Sequence, residues 1–390
     1  MRQLSRDNKL FAFSLLLWGF GEGLFLYIEP LYLRELGADP VTIGTALSIA
    51  YLAMTITHIP AGYLADRVGR RVLIVLGFGL GAAAALVMYF AQDLWVFVAA
   101  LAAYSFTGFV IAPINAYVAE ARGTQSIQRA MTLVFAGFWA GTIFSPTLGG
   151  WIGEQYGLRN VYLIAFFAFT LSTVVIFFTR PQPVVPAAGA ARYSALFRNR
   201  AFIGYLALAF CALLAIQIGL PFMPNFIEEV RGFEVGAIGL LGSINSIATV
   251  ILNAAIGHRS PRGAFLAGQA LIGLSMGLLL MVAGWPGVML AYVLRPGAQL
   301  VHTMTAAQAG QLVNAAESGL AYGIAETVIG LAAILGPLLA GPLYDFNPQL
   351  PFQVSLGLIV LMLPLVWRLA PRTPPIAEPN PAEPPISHPA

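Results

Sequence analysis

Four ionisable side chains stand inside long apolar stretches of this sequence, where a charge is costly. They are Glu22, Arg295, His302 and Glu326. An ionised group at the centre of a bilayer costs at least about 2.5 kcal/mol, so such residues normally face a cavity or a partner and serve transport or proton transfer. Glu22 lies about 18 Å into the first apolar stretch at 1.5 Å per residue, near its middle. We therefore expect these four side chains to carry the chemistry of the protein.

Helical spacing places these groups in two polar stripes. One stripe recurs at i, i+4, i+7 and i+11 and the other at i, i+4 and i+7, so each shares one face of a helix. The stripes consist of Trp18, Glu22, Phe25 and Glu29, and of Arg295, Gln299 and His302. The glycines around Glu22, at 19, 21 and 23, are expected to soften the helix there.

Two interpretations of these charges remain open. In the first, Glu22 carries protons, and Arg295 binds an anionic substrate group or holds Glu22 ionised until substrate displaces it. His302 and Glu326 then form a second titratable pair. In the second, Glu22–Arg295 and His302–Glu326 are static ion pairs that specify helix packing.

Other polar residues in apolar stretches are weaker candidates for a cavity. Tyr104, Asn115, Gln217 and Asn245 could line it, but a transmembrane amide joins helices as often as it binds a ligand. His58 has no metal-binding partner at i+4 and is interpreted as a hydrogen-bonded residue near the end of its helix.

The composition indicates the elements that must position these residues. Of 390 residues, 58% are hydrophobic and 9% are charged, against about 25% charged in soluble domains. Both a soluble protein and a disordered one are thereby excluded. The net charge of +3 gives no argument for nucleic acid, and Cys211 is the single cysteine, which excludes a disulfide framework and any multi-cysteine metal site. No cofactor or metal is expected.

Twelve stretches are long and apolar enough to span a bilayer, which takes about 20 residues. They lack the alternation of barrel strands, so helices are expected. The predicted spans are 10–35, 41–64, 72–92, 94–119, 130–153, 158–179, 201–226, 236–257, 263–284, 286–310, 320–344 and 350–369.

Lysine and arginine placement predicts the orientation. With the N-terminus in the cytoplasm, only Arg34, Arg159 and Arg231 face outward and Arg295 lies within a span. The other sixteen of the 20 basic residues then fall on the cytoplasmic side. Because positive charge is retained in the cytoplasm, both termini are predicted to be cytoplasmic.

The spans divide into two similar halves. The segment 180–200 is the longest cytoplasmic loop and separates six spans in 1–179 from six in 201–370, while the proline-rich tail 371–390 is expected to be disordered. Residues 145–154 match 336–345 at an offset of 191, Pro30 matches Pro221, and Ile43-Gly44 and Ser48 match Ile238-Gly239 and Ser243 at 195. Repeated halves are typical of transporters with a substrate site between them.

The loop between spans two and three is short and highly charged. It contains Gly62, Asp66, Arg67, Gly69, Arg70 and Arg71. The arginines hold the loop in the cytoplasm, Gly69 permits a tight turn, and Asp66 is expected to be ion-paired among the arginines. An offset of 195 aligns Arg67 with Arg262 and puts Pro261 at the position of Asp66, so this motif is expected in the first half only.

This loop resembles the signature Gly-x-x-x-Asp-Arg/Lys-x-Gly-Arg-Arg/Lys of the major facilitator superfamily. The resemblance covers residues 10–370. It implies an all-α membrane protein with 12 transmembrane helices in two pseudo-symmetric six-helix bundles, rocking about a cavity lined by spans one, four, seven and ten. It further implies that Asp66 faces the start of span eleven and that Arg70 reaches Glu120.

A second signature lies in span five. Antiporters of the superfamily carry Gly-x3-Gly-Pro-x2-Gly-Gly there, and this chain has Gly141, Ser145, Pro146, Gly149 and Gly150 at those positions. Because Ser145 replaces one glycine, the resemblance is partial and only modestly favours efflux by exchange. The alternative is that Pro146 kinks the helix and the glycines pack closely.

The resemblance implies a secondary transporter of the inner or plasma membrane, with a small-molecule substrate, protons as the coupling ion, lipid around it and a monomeric state. Efflux of amphipathic compounds is the leading expectation. Import of sugars or organic anions, with Arg295 as the anion site, is the alternative. A serine enzyme is a remote alternative, because the Gly-x-Ser-x-Gly sequence at 273–277 has no strand before it.

The loop motif generates the first prediction. Asp66→Asn should lower transport while the protein still folds, because the loop loses the acid that pairs with its arginines. Substrate flux, measured beside expression level and thermal stability, checks this. A well-expressed variant with wild-type flux would contradict it.

Overall fold

The computed structural model describes residues 4–182, 198–256, 260–313 and 318–371, with side chains in all of these except 58–67 and 318–319. All regular structure in these residues is helical. Three earlier predictions lie outside the described part: the tail, most of the central loop, and the side chains of His58, Gly62, Asp66 and Arg67.

The helices follow the predicted order. Their bounds are Arg6–Phe25 with Glu29–Glu35 (span 1), Pro40–Val68 (span 2), Arg70–Phe90 (span 3), Leu94–Phe106, a 3-10 turn Thr107–Val110 and Ile111–Glu120 (span 4), Ile127–Tyr156 (span 5), Arg159–Phe177 (span 6), Arg200–Gly219 with Met223–Glu229 (span 7), Val235–Ile256 (span 8), Pro261–Met281 (span 9), Trp285–Leu294 with Gly297–Gln311 (span 10), Ser318–Phe346 (span 11) and Leu350–Leu369 (span 12).

Within the described residues, ten helices are long and apolar enough to cross a membrane, and the bent pair that forms span 1 makes eleven. Span 10 completes the predicted twelve, although it fails the length criterion because it divides into two short helices at Arg295-Pro296. The all-α architecture is thus confirmed, and the span that is divided into two short helices is the one that carries Arg295.

Four spans expected to be continuous are broken, and they are spans 1, 4, 7 and 10. In span 10 the break contains Pro296, and in spans 1, 4 and 7 a proline follows the break within three residues, namely Pro30, Pro113 or Pro224. Proline has no N–H and its ring crowds the carbonyl four residues earlier, so the helix ends or tightens there. Proline alone does not decide this, since Pro146, Pro337 and Pro364 lie inside continuous helices.

The breaks correct the predicted stripes. Span 1 bends by 46° between Phe25 and Glu29, so Glu29 does not continue the face of Trp18 and Glu22. In span 10 the first helix ends at Leu294, and Arg295 therefore lies at the break rather than on the helix of Gln299 and His302.

The two ends of the bundle need names. The face that carries Arg6, Arg70 and Glu120 is called the N-terminal face, and the face that carries Glu35, Tyr156 and Val235 the distal face.

Span 1 packs in parallel on span 5, where a Cβ on Gly19, Gly137 or Gly141 would strike the backbone of the facing helix. These glycines permit close helix packing, and the helix of span 1 is continuous from Arg6 to Phe25.

The two bundles meet through a symmetric pair of helix contacts. Span 2 packs on span 11, where a Cβ on Gly44 would meet the backbone of Pro337, and span 8 packs on span 5, where a Cβ on Gly239 would meet the backbone of Pro146. Gly44 and Gly239 differ by 195 and Pro146 and Pro337 by 191, so these predicted repeats correspond to equivalent places in the interface.

Serine hydroxyls strengthen both contacts. Ser48 donates to the carbonyl of Ile334 at 2.7 Å, and its equivalent Ser243 lies 2.7 Å from the hydroxyl of Thr147. The backbones of the two bundles therefore approach closely enough for side chains to bond across the interface directly.

Two predicted equivalences shift in register. Pro30 and Pro224, rather than Pro221, occupy the second position of matching seven-residue helices. Arg262 matches Arg71 instead of Arg67, because both are the second residue of their span. Arg71 donates to the carbonyl of Phe177 and Arg262 to that of Trp367, so both bind the end of the helix packed beside them.

An ionic network joins the bundles at the distal face. Arg34 pairs with Glu228 at 2.5 Å and with Glu229, and Glu229 accepts a hydrogen bond from Tyr344 at 2.7 Å. Arg34 and Glu228 are both the sixth residue of their short helix, so equivalent positions carry opposite charges and pair. Asn225 adds a 3.4 Å bond to the carbonyl of Pro30.

Hydrogen bonds and ion pairs between the bundles, among the described side chains, lie at the distal face or in the middle of the spans. The contact between Gly330 and Thr55 is about fifteen residues into span 2, or roughly 22 Å at 1.5 Å per residue. The distal face is therefore closed by direct polar contacts between the bundles.

Gly239→Leu should lower the melting temperature of the purified protein, because the added side chain would meet the backbone of Pro146 and Gly150. Overpacking of this kind costs about 1–3 kcal/mol. Gly79→Leu is the matched control, since a Cβ there meets nothing within 4 Å. Equal melting temperatures for the two variants would count against tight packing at Gly239.

Arg34→Gln should open the distal face more often. A partly exposed ion-pair network contributes up to about 1 kcal/mol, so a cysteine at the buried position Ile238, introduced with Cys211→Ser, should react about twofold to fivefold faster with an impermeant maleimide added on the distal side. Arg231→Gln is the control, because Arg231 bonds carbonyls of its own bundle at Leu279 and Leu280. The same labelling rate in both variants would show that Arg34 does not hold this face closed.

Candidate functional site

Glu22 lies in an aromatic pocket of the first bundle. The Tyr104 hydroxyl and the Trp18 indole are the polar groups beside its carboxyl, and the rings of these two residues stack at 6.0 Å. Phe169 packs against Trp18 at 4.4 Å. Glu22 itself remains partly accessible. The pocket therefore surrounds the carboxyl with aromatic rings and neutral polar groups, and one side of the carboxyl remains accessible.

Arg295 lies at the break of span 10, on the interface between the bundles. Its guanidinium carbon is 5.2 Å from the ring centre of Tyr27 and 5.6 Å from that of Tyr292. Among the described residues no ion pair joins Arg295 to Glu22, so the structure does not form the static pair proposed as the alternative for these two residues. Asn245, a predicted candidate, donates to the Tyr27 hydroxyl at 2.7 Å and so joins span 8 to span 1.

His302 and Glu326 come together as the sequence predicted. The His302 Nε2 lies 3.4 Å from the Glu326 carboxylate, and both side chains are 36% exposed. Gln299 approaches the other ring nitrogen of His302 at 3.4 Å. This pair lies on spans 10 and 11, nearer the N-terminal face than Arg295.

The remaining polar candidates occupy different surroundings. Asn115 is exposed on the part of span 4 beyond its 3-10 turn. Gln217 is half-buried, and its Oε1 has no partner among the described residues. A Cβ on Gly336 would strike Gln217, so span 7 and span 11 are in close contact there.

The described part of the loop motif binds within the first bundle. Gly69 has φ +93° and begins span 3, a conformation that glycine adopts without strain. Arg70 pairs with Glu120 at 2.5 Å and bonds Gln182 at 3.1 Å, which confirms the contact that the family resemblance implied.

The glycines of span 5 serve two interfaces. Gly141 and Gly149 lie against the backbone of span 1, whereas Pro146 and Gly150 lie against Gly239 of span 8. Pro146 remains inside a continuous helix. The motif therefore lets span 5 approach one helix in each bundle.

Ser275 shows no catalytic arrangement. It is fully buried, and its hydroxyl donates to the carbonyl of Ala291 at 2.7 Å. This bond joins spans 9 and 10.

Tyr27 and Tyr51 are site residues that the sequence analysis missed. Tyr27 contacts Arg295 and Asn245, and Tyr51 lies within the electrostatic field of both Glu29 and Arg295. Glu29, the first residue after the bend of span 1, is close enough to interact electrostatically with Glu22. A tyrosine in an apolar stretch is too common a feature to have identified these neighbours.

Comparison with known proteins agrees with this architecture. The family model "Major Facilitator Superfamily" matches residues 11–294 and 236–389. The chain is 27% identical over 257 residues to Multidrug resistance protein MdtG of Proteus mirabilis (strain HI4320), a match covering 61% of this chain and 63% of that protein. The matches to the first two relatives thus span less than two thirds of their length.

Two further matches cover nearly the whole chain. Multidrug resistance protein 1 of Bacillus subtilis (strain 168) is 22% identical over 372 residues, covering 89% of this chain and 92% of that protein. The structure of peptide transporter POT in complex with sulfate has a TM-score of 0.78 at 17% identity and covers 95% of both chains. The chain belongs to the Major Facilitator Superfamily and is a multi-pass integral membrane protein.

Proposed function

We propose that the protein exports small amphipathic molecules by alternating access in exchange for protons, and that Glu22 carries the proton. The observation that supports this most strongly is the setting of the Glu22 carboxyl, which lies beside the Tyr104 hydroxyl and the Trp18 indole and makes no ion pair with any described residue. Binding a proton would remove an unpaired charge from the membrane interior, where such a charge is costly. A lipophilic cation reaching the aromatic pocket would neutralise the same charge.

If a proton and a substrate compete for the Glu22 carboxyl, only one of them can be bound at a time. Export of a substrate then requires that a proton is carried in the opposite direction. The breaks in spans 1, 4, 7 and 10 supply helix ends near the middle of the bundle, where transporters of this kind place their sites. The multidrug-resistance names of the relatives favour efflux. The His302–Glu326 pair is proposed as a second titratable group on the proton route.

The orientation is part of the proposal. The N-terminal face carries the arginines at positions 6, 70, 71 and 262, and positive charge is retained in the cytoplasm. We therefore place this face in the cytoplasm of an inner or plasma membrane, with both termini inside, a monomeric state and the described conformation open inward. The Arg70–Glu120 pair and Asp66 would then act at the cytoplasmic gate.

Import of sugars or organic anions is the competing function, and the lack of a carboxylate partner for Arg295 favours recognition of an anion. The direction in which a proton gradient drives the substrate distinguishes the two functions. In inside-out vesicles, an exporter accumulates substrate when the lumen is acidified, whereas an importer releases it.

Glu22→Gln should abolish accumulation driven by a proton gradient, reducing it about tenfold or more, because the amide cannot exchange a proton. Exchange of labelled for unlabelled substrate without a gradient should continue, since the pocket keeps its shape. Accumulation of a fluorescent lipophilic cation in proteoliposomes measures both. Glu35→Gln, an exposed acid on the same span, is the control, and unchanged gradient dependence in Glu22→Gln would refute the role of Glu22.

A further inference from the structure

We propose that Arg295, held between Tyr27 and Tyr292, forms a carboxylate subsite, so that the transported compounds include amphipathic molecules with a carboxylate on an aromatic body. This inference rests on one part of the proposed function, namely that substrate enters between the bundles. It does not depend on the direction of transport or on protons.

The guanidinium of Arg295 is not neutralised within the protein. No ion pair or hydrogen bond holds its side chain among the described residues, and its Nε is buried without a partner. An arginine removed from water without an anion costs several kcal/mol, while the ring contacts return only about 0.5–2 kcal/mol. The site therefore lacks an anion that a ligand can supply.

The two tyrosines leave the hydrogen-bonding edge of the guanidinium available. Cation–π contacts use the faces of the guanidinium and of the rings, whereas a carboxylate binds along the guanidinium edge with two parallel hydrogen bonds. Arg295 is partly exposed, and its two ring contacts come from different bundles. The accessible part therefore lies between the bundles, where a transported molecule would pass.

The neighbouring groups suit the same ligand. The Tyr292 hydroxyl is buried and has no partner among the described residues, so its donor is not already used within the described structure. Asn245 holds the Tyr27 ring in place through its 2.7 Å hydrogen bond. Glu29 lies close enough to influence Tyr51, which Arg295 also influences, but it makes no ion pair with Arg295.

The pseudo-symmetry of the two bundles gives the site two equivalent positions that carry different polar groups. Spans 4 and 10 begin at Leu94 and Trp285, and Tyr104 and Arg295 are both the eleventh residue from these starts. Tyr104 lies beside the Glu22 carboxyl, whereas Arg295 presents a cation. One half of the site is thus suited to positive groups and the other to negative groups.

Binding of a matched ligand pair tests the proposal. The probes are 1-naphthylacetate and 1-naphthylacetamide, which share one aromatic body and differ in charge, and the full chain is used in detergent with isothermal calorimetry. The wild type should bind the acid about tenfold or more tightly than the amide, since one carboxylate–guanidinium pair of about 1.4 kcal/mol corresponds to tenfold.

Variants of Arg295 should remove that preference in a graded way. Arg295→Gln should bind both probes with equal affinity. Arg295→Lys should keep part of the preference, because it retains charge but loses the planar fork. Tyr292→Phe should reduce the preference a few-fold, which keeps the test decisive if Arg295→Gln does not fold. Arg231→Gln, on the distal face, is the control and should match the wild type.

Two outcomes would overturn the proposal. One is a wild type with no preference for the acid, including a wild type that binds neither probe at millimolar concentration. The other is an Arg295→Gln variant that melts like the wild type and retains the full preference. Failure of proton coupling would instead appear in the Glu22→Gln transport assay with the probe preference intact.

Discussion

Close backbone contact between the two bundles is the constraint on which the rest of the structure depends. It occurs where span 2 meets span 11 and where span 8 meets span 5, through Gly44, Gly239, Pro146 and Pro337. In a lipid environment, helices gain little from burying apolar surface against each other, so small residues that bring backbones together provide much of the attraction. These contacts also determine which residues of the two bundles face one another across the middle.

The broken spans follow from this arrangement. Spans 1, 4, 7 and 10 carry the breaks, whereas spans 5 and 11, which make the inter-bundle contacts, contain prolines and remain continuous. A freed backbone carbonyl inside a membrane must be satisfied by protein or by water in a cavity. Breaks are therefore tolerated in the four spans that surround the proposed site, and they bring Arg295 and Glu29 to helix ends.

The two halves have equivalent backbone positions, but these positions carry different side chains. Arg34 and Glu228 occupy equivalent positions with opposite charges and close the distal face. Tyr104 and Arg295 occupy equivalent positions with different polarity, one beside an acid and one without a counter-ion. A duplicated framework thus gives each half its own polar group while the helix packing stays the same.

The sequence alone determined that the protein lies in a membrane, that it is helical and that its two halves repeat. Scarce charge identified the membrane, apolar length predicted the spans, and the offsets of 191 and 195 anticipated the symmetric contacts. Its resemblance to a family placed Arg70 beside Glu120. These features could be predicted because each depends on local composition or on a motif with regular spacing.

The tertiary structure decided what each polar group contacts. The sequence allows Glu22 and Arg295 to be partners, but Glu22 lies beside Tyr104 and Trp18, while Arg295 lies between two tyrosines. Helical periodicity could not show this, because both stripes cross a break and a proline does not reveal whether its helix will bend. Side-chain partners depend on how separate helices pack, and that information is spread over residues hundreds of positions apart.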